Sequence, residues 1–338
     1  MSAPPDELPG RTRPPVRPWR LVVSLLVIAM AAAFMLPDLL GLDRRGPFAQ
    51  LVSFRPTLLG GLAVLTVAAV VAAGVRRRGW TLACGLLVVA LVASAMVLPR
   101  ALGGITVPEP DAPLRPALTV LSFNTYEGQA DVDALADLIK QTNPDLIALP
   151  ESAARFSEKL APLTPGYRFL PSSNRGRDVN GVTVGVRADS GDVAAQVDRS
   201  TGFPSVQISG GKLGTVRFVA FHSIAPTPGE IPEWSSDLST LPRWCADRQA
   251  GPVIIAGDFN ATLDHSVFRS AIEGCTDSAE RTGESLIGTW PTRVPRWMGT
   301  QIDHVLVTGG ITPESLSVHD VPGSDHRAIV TRLLLSPS

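Results

Sequence analysis

A chain of 338 residues with a formal net charge of −1 is too long for one small domain and lacks the basic excess of a non-specific nucleic-acid binder. Three cysteines exclude a disulfide-rich scaffold. Charge is also uneven: residues 1–100 hold 11 Arg and 4 acids, and the remainder 19 basic and 27 acidic residues. The acidic second part gains little from phosphate-backbone attraction, so bulk charge disfavours a processive or non-specific nuclease.

In chain order, three apolar runs come first: Leu21–Leu36, Leu58–Val75 and Trp80–Leu98. Each approaches the roughly 17–25 residues that a helix needs to cross the hydrocarbon core. They predict transmembrane helices over about 21–40, 58–75 and 80–98, within an anchor of residues 1–100. Gly60 and Gly61 would permit close helix packing in the second. Arg11, Arg13, Arg17 and Arg20 precede the first run and Arg76, Arg77 and Arg78 separate the second from the third; Arg44, Arg45, Arg55 and Arg100 fall on the other side. The bias predicts a multi-pass protein of the cytoplasmic membrane with a cytoplasmic N-terminus and an extracytoplasmic C-terminal domain. A cleaved first run, with small residues at Ala31–Ala33, is the rival reading and leaves the large domain outside as well.

Residues 101–116 are rich in Pro and small side chains and read as a linker. Residues 117–338 then form the second domain. Strands are predicted at Ala117–Asn124, Asp145–Leu149, Gly181–Val186, Ser205–Ile208, Thr215–His222, Val253–Ala256, Ile302–Val307 and Ile329–Leu334. Helices are predicted at Val132–Thr142 and Ser235–Asp247. This mixture predicts a layered α/β sandwich. Cys245 and Cys275 form either a bridge or two separate thiols, and both readings stand. The sequence lacks a phosphate-binding Gly-rich loop, a Gly-Xaa-Ser-Xaa-Gly elbow and a His-Glu-Xaa-Xaa-His zinc motif.

Polar residues collect at the strand ends: Asn124, Glu151, His222, Asp258 with Asn260, Asp303, and Asp325 with His326. Carboxylates, amides and imidazoles at one sheet edge can converge on a pocket, and this donor mixture suits a hard ion such as Mg²⁺ or Mn²⁺. The segments LSFNTY, DLIALPE, GVTVGVRAD, FHS, GDFNAT, TWPT, QIDHVLV and SDHRAIV, in that order, resemble the endonuclease/exonuclease/phosphatase superfamily and its membrane-anchored bacterial branch. The resemblance covers nearly all of residues 117–335 and implies a four-layer DNase-I-like α/β sandwich preceded by the three transmembrane helices.

It also implies roles. Asn124 and Glu151 would position the metal, and Asp325 would add to its environment. His222 would donate to the scissile phosphate, Asp258 would orient or deprotonate the attacking water, and Asn260 would hold a phosphate oxygen. Asp303 would orient His326, which contacts the phosphate. Two departures, Pro150 before Glu151 and Tyr126 two residues after Asn124, weaken assignment to the abasic-site or DNase branches.

The expected activity is metal-dependent hydrolysis of a phosphodiester or phosphomonoester. The lipid bilayer is the expected partner, a phospholipid-type substrate is favoured by location, and no protein partner is expected. An extracytoplasmic nuclease and a silent phospho-ligand-binding domain are the alternatives. His304 is expected to face away from the site because strand side chains alternate. His265 and His319 are expected at the surface, Trp290 in the core or a pocket wall, and Arg175 and Arg177 on a solvated loop. Pro171–Asn180 and Thr227–Trp234 are expected to carry specificity.

Overall fold

The computed structural model describes residues 18–103, 116–173, 177–247, 249 and 251–336. It opens with helix α1 (Pro18–Met35), the short α2 (Phe48–Val52), α3 (Arg55–Arg76) and α4 (Trp80–Leu102). The three longer helices are long and apolar enough to cross a membrane. Helix α1 stops short of the expected 40 because Pro37 has no amide hydrogen to donate, and the chain turns at once. Between α3 and α4 the reversal is tight, with Arg77 at φ 50° and Gly79 at φ 90°.

Gly60 and Gly61 do not provide the close helix packing expected of them; both face open space. The close approach is at Gly85, where a Cβ would sit 2.2 Å from Ile28 Cδ1 of α1. The start of the expected linker, Ala101 and Leu102, belongs to α4, and residues 104–115 lie outside the described residues.

After β1 (Ala117–Ser122) come α5 (Val132–Thr142), β2 (Leu146–Pro150), α6 (Ala154–Leu160), β3 (Tyr167–Pro171) and β4 (Val182–Arg187). Next are β5 (Val193–Asp198), β6 (Ser205–Gly210), β7 (Arg217–His222), α7 (Ile231–Leu238), α8 (Pro242–Cys245) and β8 (Val253–Asp258). The chain closes with α9 (Ser266–Ala271), β9 (Thr276–Asp277), α10 (Ser278–Thr282), β10 (Asp303–Val307), β11 (Ile311–Asp320) and β12 (Arg327–Leu335). The single helix expected over Ser235–Asp247 is instead α7 and α8. Pro242 cannot continue a helix but can start one, so the second helix begins there.

The strands form two six-stranded sheets, ordered β11-β12-β1-β2-β4-β3 and β5-β6-β7-β8-β10-β9. Val184, Ile208, Phe218, Ile254, Val305 and Ile329 pack between them. Leu135, Ile139 and Phe156 cover the outer face of the first sheet, and Trp234, Leu238 and Phe268 that of the second. The result is the four-layer α/β sandwich. Parallel pairing occurs once in each sheet, β1 with β2 and β7 with β8. Parallel strands end at the same edge, so both pairs deliver their C-terminal residues to one side. The antiparallel neighbours β12 and β10 begin at that edge, with Ser122 opposite Ile329 and Asp258 opposite Asp303.

Cys245 and Cys275 are bridged, which decides between the two readings left open by the sequence. The bridge ties the end of α8 to the segment entering β9.

The helical bundle packs directly onto the sandwich. Arg55 is fully buried; its guanidinium donates to Met35 O at 2.9 Å and Asp264 Oδ1 at 2.8 Å, and pairs with Asp38. Arg100 reaches the same Asp264 oxygen at 2.7 Å, and Arg269 reaches Asp38 Oδ2 at 2.7 Å. His265, expected at the surface, is fully buried: its Nε2 donates to Ala49 O at 2.8 Å while Nδ1 accepts from Thr262 N at 2.9 Å. A surface expectation fails here because the covering segment, residues 36–54, is more than 200 positions away in sequence. His319 is half-buried on β11, beside Ser317.

Candidate active site

The site forms where the two parallel pairs end. Asn124 follows β1 and is fully buried. Its Nδ2 donates to Glu151 Oε1 at 3.0 Å and Asp258 Oδ2 at 2.9 Å, while its Oδ1 accepts from Tyr126 N at 2.9 Å. One amide therefore links carboxylates from both sheets. Glu151 follows β2, and its Oε2 accepts from Glu127 N at 2.8 Å.

Asp258 ends β8. Its Oδ1 accepts from Asn260 N at 2.8 Å, and Asn260 Nδ2 donates to Ser223 O at 2.9 Å. Gly257, one residue earlier, tolerates no side chain, since a Cβ there would lie 1.8 Å from Phe221 O on β7. Trp234 Nε1 holds Asn260 O from behind at 3.1 Å.

Six described non-glycine residues have positive φ. Arg77 and Asn143 cap helices, and the other four, Tyr126, Glu127, Glu151 and Asn260, lie at this site. Such conformations cost on the order of 1–3 kcal/mol each and persist where the surroundings impose them.

Two histidines flank Asp258 in different states. His222 ends β7 and stacks on Phe203, with ring centroids 4.2 Å apart. Its Nε2 lies 3.8 Å from Asp258 Oδ2 and 3.9 Å from Glu151 Oε1. Burial, with repulsion from His326, lowers its pKa to about 3, so the ring is neutral. His326 Nδ1 lies 3.0 Å from Asp303 Oδ2, and its Nε2 lies 3.7 Å from Asp258 Oδ2 and 3.9 Å from Asp325 Oδ1. Burial alone would lower its pKa, but Asp303 and Asp258 overcome that and raise it to about 10. His326 is an imidazolium. Burial pushes the Asp258 carboxyl up to about 7 and raises Glu151 as well.

The structure brings all eight expected residues together: Asn124, Glu151, His222, Asp258, Asn260, Asp303, Asp325 and His326. Sequence reasoning missed several supports. Phe203 stacks on His222 from a loop that carries no sequence signal. Ser324 Oγ donates to Asn124 O at 2.8 Å and accepts from His326 N at 3.0 Å, tying two motifs together. Trp290 forms a pocket wall, its Nε1 donating to Asp325 Oδ2 at 2.9 Å. His304 does face away. Its Nδ1 meets Asp277 Oδ2 at 2.8 Å and its Nε2 meets Ala261 O at 2.9 Å, two acceptors that require a doubly protonated ring. Arg177 is exposed beside Glu127 at 3.5 Å; Arg175 lies outside the described residues, as do residues 174–176 of the first expected specificity loop.

Four carboxylates and one imidazolium leave a negative surplus in a largely buried pocket. Asp303 Oδ1 and Asp325 Oδ1 are buried without a hydrogen-bond partner among the described residues. Asp258, Asp303 and His326 bring potential ligand atoms within 4.8 Å of one another. Asp303 engages His326 through Oδ2, Asp325 keeps Oδ1 without a partner, and both Glu151 oxygens accept hydrogen bonds, from Asn124 and from Glu127 N. Oxygen donors without thiolate fit a hard divalent cation.

The chain belongs to the endonuclease/exonuclease/phosphatase family, a family of phosphoesterases and nucleases; its model matches residues 121–326, well over half of the chain. Among solved structures, the chain is similar to an endonuclease/exonuclease/phosphatase family protein from Bacteroides thetaiotaomicron. The TM-score is 0.52 at 14% identity, covering 67% of this chain and all of that one. A family member from Beutenbergia cavernae gives 0.52 at 19% identity, covering 66% and 72%. A humanized D. rerio TDP2 gives 0.50 at 18%, covering 64% and 98%. At these identities the likeness shows the fold. No curated protein matches the sequence.

Proposed function

We propose that this chain is a membrane-anchored phosphoesterase that uses Mg²⁺ or Mn²⁺ and acts outside the cytoplasmic membrane. The observation that carries the reading is the placement of Asp258 between His222, 3.8 Å away, and His326, 3.7 Å away and itself 3.0 Å from Asp303, with Asn124 linking Asp258 to Glu151. Hydrolysis of a phosphate ester needs a base for water, donors for the phosphate oxygens and neutralisation of charge.

Asp258 takes the proton of the attacking water, and Asn260 and Asn124 fix its two oxygens. His326, held charged by Asp303, donates from Nε2 to a non-bridging phosphate oxygen. His222 supplies a second, neutral donor. Glu151 and Asp325, with Asn124 steering Glu151, would hold the metal, which supplies charge neutralisation when bound. Asn260 Nδ2 donates to Ser223 O and lies 3.5 Å from Asp258 Oδ2, and its second proton would turn from that long contact to a phosphate oxygen. Asn124, His222, Asp258, Asp303 and His326 are buried, which strengthens the interactions among them.

The sandwich lies at the end of the helical bundle opposite Arg76, Arg77 and Arg78, which supports an extracytoplasmic domain by the arginine rule. The acidic charge of the domain counts against nucleic acid, and a lipid-borne ester is favoured by location alone.

The test uses the full chain in detergent, because a fragment beginning near residue 105 would remove Arg55 and Arg100 and strand Asp264. A soluble diester, a soluble monoester, plasmid DNA and phospholipid micelles are offered with Mg²⁺ or with chelator. Metal-dependent turnover of one ester class is expected. Preferential plasmid cleavage would establish the nuclease alternative, and no turnover by folded protein would leave a phospho-ligand-binding domain.

A further inference from the structure

One segment of the sandwich connects the active site with the membrane helices. Residues 289–300 form a hairpin closed by the Trp290–Thr300 bridge. At its base, Trp290 Nε1 donates to Asp325 at 2.9 Å and Thr289 Oγ1 accepts from Asp303 N at 3.3 Å. At its tip, the turn Arg296–Met298 leaves Trp297 69% and Met298 37% exposed. The tip is not free of the bundle: Trp297 O lies 3.5 Å from Thr57 Oγ1, and Gly299 and Thr300 line a small cavity with Ser53 and Pro56.

Thr57 stands in the first turn of α3, where the apolar span starts. Trp297 therefore sits at the level where a membrane-crossing α3 would leave the hydrocarbon for the headgroups, the depth at which Trp is enriched. Leu39 and Leu40, 61% and 57% exposed, follow the end of α1 on the same side of the bundle. Arg44, Arg45 and Arg293 are exposed in the same cap and hairpin, and cations there favour an anionic lipid surface.

We propose that Trp297 and Met298, with Leu39 and Leu40, seat in the headgroup layer of an anionic bilayer and hold the catalytic cleft against phosphate esters carried by that surface. The occupant is the bilayer in which the helices are embedded. The substrate half of the proposal rests on the phosphoesterase reading above; the placement of Trp297 does not.

The full chain is reconstituted in discs of phosphatidylcholine and phosphatidylglycerol. The fluorescence of Trp297 is taken as the difference between wild type and Trp297→Phe, and is challenged with lipid brominated near the headgroup end of its chains and with aqueous iodide. Bromolipid is expected to quench it and iodide to leave it. Quenching by iodide alone overturns the proposed placement. In the same discs, W297S/M298S is expected to slow phosphatidylglycerol hydrolysis by about tenfold and to leave a soluble diester within about twofold. Equal slowing of both esters overturns the surface role, and so does hydrolysis of the soluble diester alone by wild type. If wild type hydrolyses neither ester, the phosphoesterase reading fails and quenching alone decides the placement.

Discussion

The four buried histidines of the sandwich show how partners, not burial alone, decide protonation. His326 and His304 each meet a carboxylate and have raised pKa values, whereas His222 stacks on Phe203 and has a lowered one. His265 accepts a backbone N–H and is lowered by burial below its ordinary value near 6.5. His304 and His265 should therefore contribute to stability with opposite pH dependence. His304 has a raised pKa from Asp277, although burial opposes it. Its contribution is complete below 6.5 and is lost as pH rises through the folded value; that of His265 is present above 6.5 and declines as pH falls below it. Thermal unfolding of His304→Gln and His265→Gln in detergent should show it, the first losing its deficit against wild type in alkali and the second in acid. Parallel curves would contradict these assignments. Alternation along β10 made the outward face of His304 legible in the sequence. The burial of His265 was not, because its partner Ala49 belongs to a cap that the sequence shows only as residues between two apolar runs.

At the level of elements, the edge where parallel strands end was readable and the contacts behind it were not. Apolar runs closing in Asn124, Glu151, His222 and Asp258 mark strand ends, and parallel pairing gathers them. Pro242 also carried a visible signal, since a helix predicted through it must break. Nothing local announces Asp264 as the partner of Arg55, which is 209 positions away. Arg55→Ala should lower stability by about 3–5 kcal/mol, because Asp38 and Asp264 lose a buried cation. Thermal unfolding in detergent measures it, and a loss under about 1 kcal/mol would show that Arg100 and Arg269 suffice. Replacing both Cys245 and Cys275 by Ser should cost about 2–4 kcal/mol, read by the same melt. An unchanged melting temperature would show that the α8–β9 tie adds nothing to the packing around Trp244 and Phe268.

Across the whole molecule, the bundle and the sandwich are joined through the loop that follows the candidate base. Asn260 is held by Trp234, Ala261 by His304, and Asp264 by Arg55 and Arg100. The division into a helical part and an α/β part was legible from hydropathy and charge. Their direct packing was not, since a proline-rich stretch reads as a spacer whatever the helices before it touch. The sandwich thus draws on its helices for the charge pairing of Asp264.

The most direct test of the central claim is turnover of a soluble phosphodiester by the full chain carrying Asp258→Asn, a change that keeps the side chain's size and removes its basicity. With Mg²⁺ present and an unchanged melting temperature, the account predicts a loss of about 10²–10⁴-fold relative to wild type. Activity within a few-fold of wild type would contradict the assignment of Asp258 as the base and, with it, the proposed chemistry of this site.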